Sequence, residues 1–140
     1  MKKVIVLIVV MLLMSGCGKS KLTCTKSETE GGVENITTLK TTFKKDDLKK
    51  LQLNLEMNLV DENEMDKDSF EFSTGVLKSI YDDLAKDGIK VEDSLKDNKY
   101  NIIVDFEENG YSDLKKIINI KLDTFDNLKA SLEEDGYTCK

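Results

Sequence analysis

The chain contains no histidine, arginine, tryptophan or proline, and the first two absences remove side chains that catalysis uses often. Histidine is the commonest general acid or base and a frequent metal ligand, and arginine binds carboxylates and phosphates through a two-pronged fork. Without histidine no Ser-His-Asp triad can form. The sequence also has no Walker loop and no Gly-x-Gly-x-x-Gly motif. We therefore expect a protein that is not an enzyme, with no catalytic residues, no metal site and no cofactor.

Positive charge is also scarce. The chain has 21 basic residues against 27 acidic ones. Two of the basic residues, Lys2 and Lys3, lie in an N-terminal signal, so the mature chain keeps 19 and has a net charge near −8. A domain this acidic is repelled by nucleic acid and by anionic lipid. We expect no nucleic-acid binding, and we expect membrane attachment to come from acyl chains and not from a basic patch.

The first 17 residues have the pattern of a bacterial lipoprotein signal. Two lysines precede an apolar run over residues 4–14, which is too short to span a bilayer. Ser15 and Gly16 then lead into Cys17, and this ending resembles the lipobox of bacterial lipoproteins. The resemblance implies cleavage after Gly16 and a diacylglycerol thioether on Cys17. The alternatives are an ordinary signal peptide that carries a cysteine, or a buried apolar strand.

These features predict three segments. Residues 1–16 are the signal peptide, residues 17–21 are a lipidated polar tether, and residues 22–140 are one domain. A mature chain of this length can bury one modest core and is too short for two domains. We expect a monomer on the extracytoplasmic face of the cell membrane, held there by the diacylglyceryl anchor.

Two cysteines remain after lipidation, Cys24 in the first predicted strand and Cys139 in the last. Outside the membrane a disulfide can persist. One hypothesis is that the terminal strands are neighbours and that the two cysteines bridge them, and the alternative is a pair of buried free thiols. A catalytic redox pair is not expected, because there is no Cys-x-x-Cys spacing.

Hydrophobic periodicity predicts about six strands and two or three helices. Alternation is strongest from Leu51 to Leu59, where one face is apolar and the other polar, so the sheet should be antiparallel and covered on one side. Residues 111–123 fit either a helix or a strand. The predicted strands are residues 21–26, 33–43, 51–59, 89–95, 99–106 and 137–140. The first predicted helix spans residues 70–86, and its apolar stripe consists of Leu77, Ile80, Tyr81 and Leu84. Asp123 or Thr124 caps a second predicted helix, which ends at residues 135–136.

An acidic stretch at residues 61–66 begins like a calcium loop but departs from it where the geometry is demanding. Met65 stands at a ligand position, Asp66 stands where glycine is needed, and Phe72 replaces the closing bidentate glutamate. We interpret this stretch as a solvated acidic loop.

Several short sequences, in this order, resemble the YehR-like family of small uncharacterised bacterial lipoproteins. They are Thr42-Phe43-Lys44-Lys45-Asp46-Asp47, a long alternating strand, a helix that ends at Asp87-Gly88-Ile89, then Ile103-Val104-Asp105-Phe106, and a final Leu132-x-x-x-Gly136-Tyr137. The resemblance implies an α+β domain whose mostly antiparallel sheet carries its helices on one face. It implies no activity and no catalytic residues. Cys24 and Cys139 are outside this pattern and indicate a low-GC Gram-positive branch.

Our first functional hypothesis is a non-enzymatic envelope protein that binds an envelope protein or a small ligand on the open face or an edge of its sheet. The threonine-rich strand at residues 33–43 would offer such an edge for strand addition. One alternative is a purely structural or antigenic surface protein. Another is a hydrolase that uses carboxylates alone, which requires two distant acidic residues to converge in a cleft.

Overall fold

The computed structural model describes residues 19–87, 89–107 and 123–140. Within these segments the order of elements is β1 (Lys19–Glu30), β2 (Val33–Lys44), β3 (Asp47–Leu59), α1 (Lys67–Lys86), β4 (Lys90–Lys96), β5 (Lys99–Phe106), α2 (Phe125–Glu134) and β6 (Thr138–Cys139). The strands form a six-stranded sheet in the order β4-β5-β3-β2-β1-β6, and all neighbours are antiparallel. The predicted antiparallel α+β architecture is confirmed. The predicted signal peptide, Cys17 and residues 111–122 lie outside the described residues.

Two adjacent inner strands, β3 and β5, show the predicted alternation. Every second residue of β5 is buried, from Tyr100 to Phe106, and these residues lie opposite the apolar positions of β3. Burying one such side chain stabilises the fold by about 1.5–3 kcal/mol. The same period places polar residues, among them Gln52 and Asn54, on the opposite face. One face of the sheet therefore lines the core and the other is polar.

The first two strands differ from the prediction in length and in position. β1 extends to Glu30, so residues 27–30 are strand and the turn is confined to Gly31 and Gly32. β2 spans the predicted residues and buries Leu39 and Phe43 as expected. It is not an edge, because β1 pairs with it on one side and β3 on the other along its whole length. The expectation of strand addition at β2 is therefore wrong.

The two glycines of the β1–β2 turn have different surroundings and offer a matched pair of variants. Both have positive φ, 56° at Gly31 and 77° at Gly32. A Cβ on Gly31 would meet open space, whereas one on Gly32 would collide with the backbone carbonyl oxygen of Asp61. The Gly32 carbonyl also accepts a hydrogen bond from the Val60 amide at 2.8 Å.

We therefore expect Gly32→Ala to lower the free energy of unfolding by at least about 2 kcal/mol, because backbone strain adds to the steric collision. Gly31→Ala should cost only about 1 kcal/mol, for the left-handed conformation alone. Urea unfolding of the two variants measures both values. Equal losses would contradict the close approach of Gly32 to the loop that follows β3.

Helix α1 begins three residues before the predicted start because Asp66 caps it. The Asp66 carboxylate accepts a hydrogen bond from the Ser69 amide at 2.8 Å, and this bond lowers the pKa of Asp66. The helix buries Phe70 and Tyr81, while Ile80, which the sequence placed on the apolar stripe, is 54% exposed. The side of α1 that faces the core is thus centred on Phe70 and Tyr81.

Helix α2 begins and ends as predicted. The Thr124 hydroxyl accepts a hydrogen bond from the Asn127 amide, and Gly136 follows the helix with φ of 91°. Leu128 and Leu132 are fully buried. The ring of Phe125, at the first position of α2, packs edge-on against Phe43 of β2 with the ring centres 5.6 Å apart. This contact joins α2 to β2.

Candidate functional site

Cys24 and Cys139 come together as the disulfide hypothesis predicts. Cys24 of β1 lies directly opposite Cys139 of β6, and their sulfur atoms are at disulfide-bonding distance. Two backbone hydrogen bonds between Thr23 and Lys140, of 3.0 and 2.8 Å, continue this pairing. The covalent link therefore holds the C-terminal end of the chain against β1. Cys17 and Gly16, the predicted lipidation and cleavage positions, lie outside the described residues.

Two carboxylates of the acidic loop at residues 61–66, those of Asp61 and Asp66, accept local hydrogen bonds. Asp61 accepts bonds from the backbone amide and the side-chain amide of Asn63, at 2.9 and 3.0 Å. Asp66 caps α1. Across residues 19–87, 89–107 and 123–140, no three acidic or cysteine side chains converge in a way that could hold a metal ion.

The polar face of the sheet is organised by hydrogen bonds that cross the strands. Gln52 of β3 donates to the carboxylate of Asp105 on β5 at 2.8 Å. Further along the same pair of strands, Lys99 contacts Glu56 at 2.7 Å, and this bond is the main reason why the pKa of Glu56 is lowered. These contacts fix the positions of charged groups on a surface that would otherwise be flexible.

A concave groove of about 700 Å³ lies at one end of the sheet, where polar-face residues line it together with the core-facing Leu51 and Phe106. The described residues that line it come from five strands and from the end of α1, and they are Lys21, Thr23, Lys40, Thr41, Thr42, Lys50, Leu51, Gln52, Asp87, Ile89, Lys90, Asp105, Phe106 and Glu107. The β2–β3 pairing shifts register between Thr42 and Phe43, beside the groove. Such a bulge bends a strand and increases its twist, which makes the surface concave.

Three lysines surround one threonine in this groove. Thr42 of β2 lies directly opposite Lys21 of β1 on one side and Lys50 of β3 on the other, and Lys40 is two residues away on the same strand. Residues two apart on a strand share a face, and diagonal neighbours on adjacent strands lie about 7–8 Å apart. A lysine side chain is long enough for all three ammonium groups to reach a single ligand beside the Thr42 hydroxyl.

The lysines of this triad, Lys21, Lys40 and Lys50, are exposed and form no ion pair with any residue in the described part of the chain. The opposite wall of the groove differs. There Asp105 accepts the hydrogen bond from Gln52, and Lys90 pairs with Glu92 at 2.9 Å, which raises the pKa of Lys90. The groove therefore has three unpaired lysines on one wall, whereas the opposite wall carries the carboxylates of Asp87, Asp105 and Glu107.

Sequence reasoning did not find this site. The alternation in β2 and β3 places Lys40, Thr42 and Lys50 on the polar face, which is readable from the sequence. Their convergence with Lys21 depends on the pairing of three strands, and single-strand periodicity contains no information on pairing. A β2–β3 hairpin about residues 45–46 would have given part of this arrangement.

The chain matches no protein-family model, no curated protein and no solved structure. Neither helix in the described segments is long and apolar enough to cross a membrane.

Proposed function

We propose that this protein is a non-enzymatic, lipid-anchored binding protein of the extracytoplasmic membrane face, and that its ligand site is the groove on the polar face of the sheet. The observation that carries the proposal is the triad of unpaired lysines around Thr42. These three lysines converge on one threonine, and no carboxylate in the described part of the chain forms an ion pair with them. A groove that keeps three lysines free favours an anionic ligand.

The division of the sheet into two faces supports this proposal. We propose that both helices cover the apolar face of the sheet, so that the polar face is left for binding. In support, the buried residues Phe70 and Tyr81 of α1 and Leu128 of α2 belong to the same hydrophobic core as the buried residues of β3 and β5. The ring contact between Phe43 and Phe125 supports the same arrangement for α2.

The edges of the sheet are less suitable for binding than its polar face. The outer edge of β4 carries charged residues along most of its length, from Lys90 to Lys96. Charges on an edge strand oppose pairing with another strand. β6 is only two residues long. We therefore propose a ligand that side chains hold in the groove, and not a peptide that adds a strand.

Binding at the groove predicts a thermal response to anions. Inorganic phosphate and sulfate should raise the melting temperature of the purified mature protein, because a ligand at a hundred times its dissociation constant adds about 2.7 kcal/mol to native-state stability. Replacing Lys21, Lys40 and Lys50 by glutamine should abolish the response. Scanning fluorimetry at constant ionic strength measures it.

The matched control replaces three lysines outside the groove by glutamine, namely the exposed Lys67 and Lys96 and the half-buried Lys129. This variant has the same net charge as the groove variant and should respond to phosphate like the unmodified protein. An equal response in both variants would mean that the anions act through general charge screening. That result would favour the alternative of a structural or antigenic surface protein.

A further inference from the structure

The groove lies at the end of the sheet where the chain arrives from the predicted anchor. β1 begins at Lys19, which pairs with Lys44 at the end of β2. Cys17 is two residues before Lys19, so the chain between them spans at most about 7 Å. If Cys17 carries the acyl chains, the start of β1 and the adjoining β2–β3 turn are held at the surface of the bilayer.

Lysines outnumber carboxylates at this end of the sheet, although Asp87, Asp105 and Glu107 also line the groove there. Five exposed lysines lie there without an ion pair in the described part of the chain, and we call them the basic end: Lys21, Lys40, Lys44, Lys45 and Lys50. Two carboxylates lie beside these lysines in the sequence. Asp47 pairs with Lys49 at 3.8 Å, and Asp46 lies in the β2–β3 turn. The basic end includes the lysine triad of the groove.

The opposite end of the sheet is acidic. The β1–β2 turn and the loop after β3 meet there, as the hydrogen bond from the Val60 amide to the Gly32 carbonyl shows. The acidic residues at this end include Glu28, Glu30, Glu34, Asp61, Glu62 and Glu64. A strand as long as β1 separates the two ends by about 40 Å. Physiological salt screens exposed charges beyond about 8 Å, so the acidic end cannot cancel the attraction of the basic end to a surface beside it.

We propose that the lysine triad binds the phosphate of an anionic lipid headgroup in the same membrane that holds the anchor. This inference depends on the proposed anchor and groove, and it names the ligand class of that groove. Lys21, Lys40 and Lys50 neutralise the phosphate, the Thr42 hydroxyl donates a hydrogen bond to it, and Lys44 and Lys45 lie against neighbouring headgroups. The diacylglyceryl anchor already supplies two acyl chains, so the basic end serves to orient the domain and is not required for attachment.

The consequence is a fixed orientation of the domain. Contacts at the basic end hold the strands upright on the bilayer, so that the acidic end of the sheet points away from the membrane. The net charge of the mature chain, which predicts repulsion from anionic lipid, does not describe this arrangement because the two signs of charge lie at opposite ends of the sheet.

Lysine acetylation of the full-length lipidated protein in vesicles tests the proposal. The protein is reconstituted into phosphatidylcholine vesicles with or without phosphatidylglycerol, and mass spectrometry measures the acetylation rate at each lysine. We expect rates at Lys21, Lys40 and Lys50 to fall several-fold when phosphatidylglycerol is present and to recover in high salt. Rates at Lys96 and Lys129 should not change. Equal rates at the triad in both kinds of vesicle would overturn the proposal.

Two further arms separate this inference from the proposed anchor and from free phosphate. Flotation of the protein with vesicles in high salt measures the anchor, and Cys17→Ser should abolish it while Lys40→Gln with Lys50→Gln should not. Loss of salt-resistant flotation in the unmodified protein would overturn the anchor, whereas triad protection would still support the headgroup site. Inorganic phosphate added to phosphatidylcholine vesicles should protect the triad less than phosphatidylglycerol does, and equal protection would assign the groove to a free anion.

Discussion

Breaking the link between Cys24 and Cys139 is expected to lower the free energy of unfolding by as much as about 4.7 kcal/mol. The two cysteines are 115 residues apart, so the bridge closes a loop that contains nearly the whole domain. In the chain-entropy model a loop of this length restricts the unfolded chain strongly. Urea unfolding with and without a reductant measures the loss. We expect a loss smaller than this maximum, because residual structure in the unfolded state reduces the entropy that the bridge removes.

The double variant Cys24→Ala with Cys139→Ala is the control for reduction. Cys24 is fully buried, so its replacement also removes packing contacts. The reductant should destabilise the unmodified protein and leave the double variant unchanged, because the double variant has no bridge between these positions to reduce. Identical unfolding curves for the unmodified protein in both conditions, with two thiols titrating in the folded state, would show that the cysteines are free.

The second large effect is expected in helix α1. Phe70 has no exposed surface, whereas Phe72, two residues later on the same helix, is 75% exposed. Phe70→Ala should cost about 3–5 kcal/mol, because the change loses the transfer free energy of the ring and leaves a cavity beneath the helix. Phe72→Ala should change stability by less than about 0.5 kcal/mol.

The two variants have the same helix, the same residue type and the same change in helix propensity. The difference between their unfolding free energies therefore measures burial alone. Comparable losses would contradict the orientation of α1 about its axis, and with it the finding that the core side of the helix is centred on Phe70 and Tyr81.

Local patterns predicted the elements of this fold well. Alternation identified β3 and β5 and the buried face of each, because a strand turns successive side chains to opposite sides. Capping chemistry located both ends of α2. The start of α1 was predicted too late because Asp66, its cap, was read as part of an acidic loop.

Composition alone determined which side chains are available to this protein, and the N-terminal pattern predicted where it is attached. The tertiary structure decided the rest. It placed β2 between β1 and β3, so that this strand is not an edge. It also brought β1 beside β6, which placed Cys24 opposite Cys139, and it gathered lysines from three strands around Thr42. The physical reason is that periodicity and capping act between residues a few positions apart, whereas strand order is determined by contacts between segments distant along the chain.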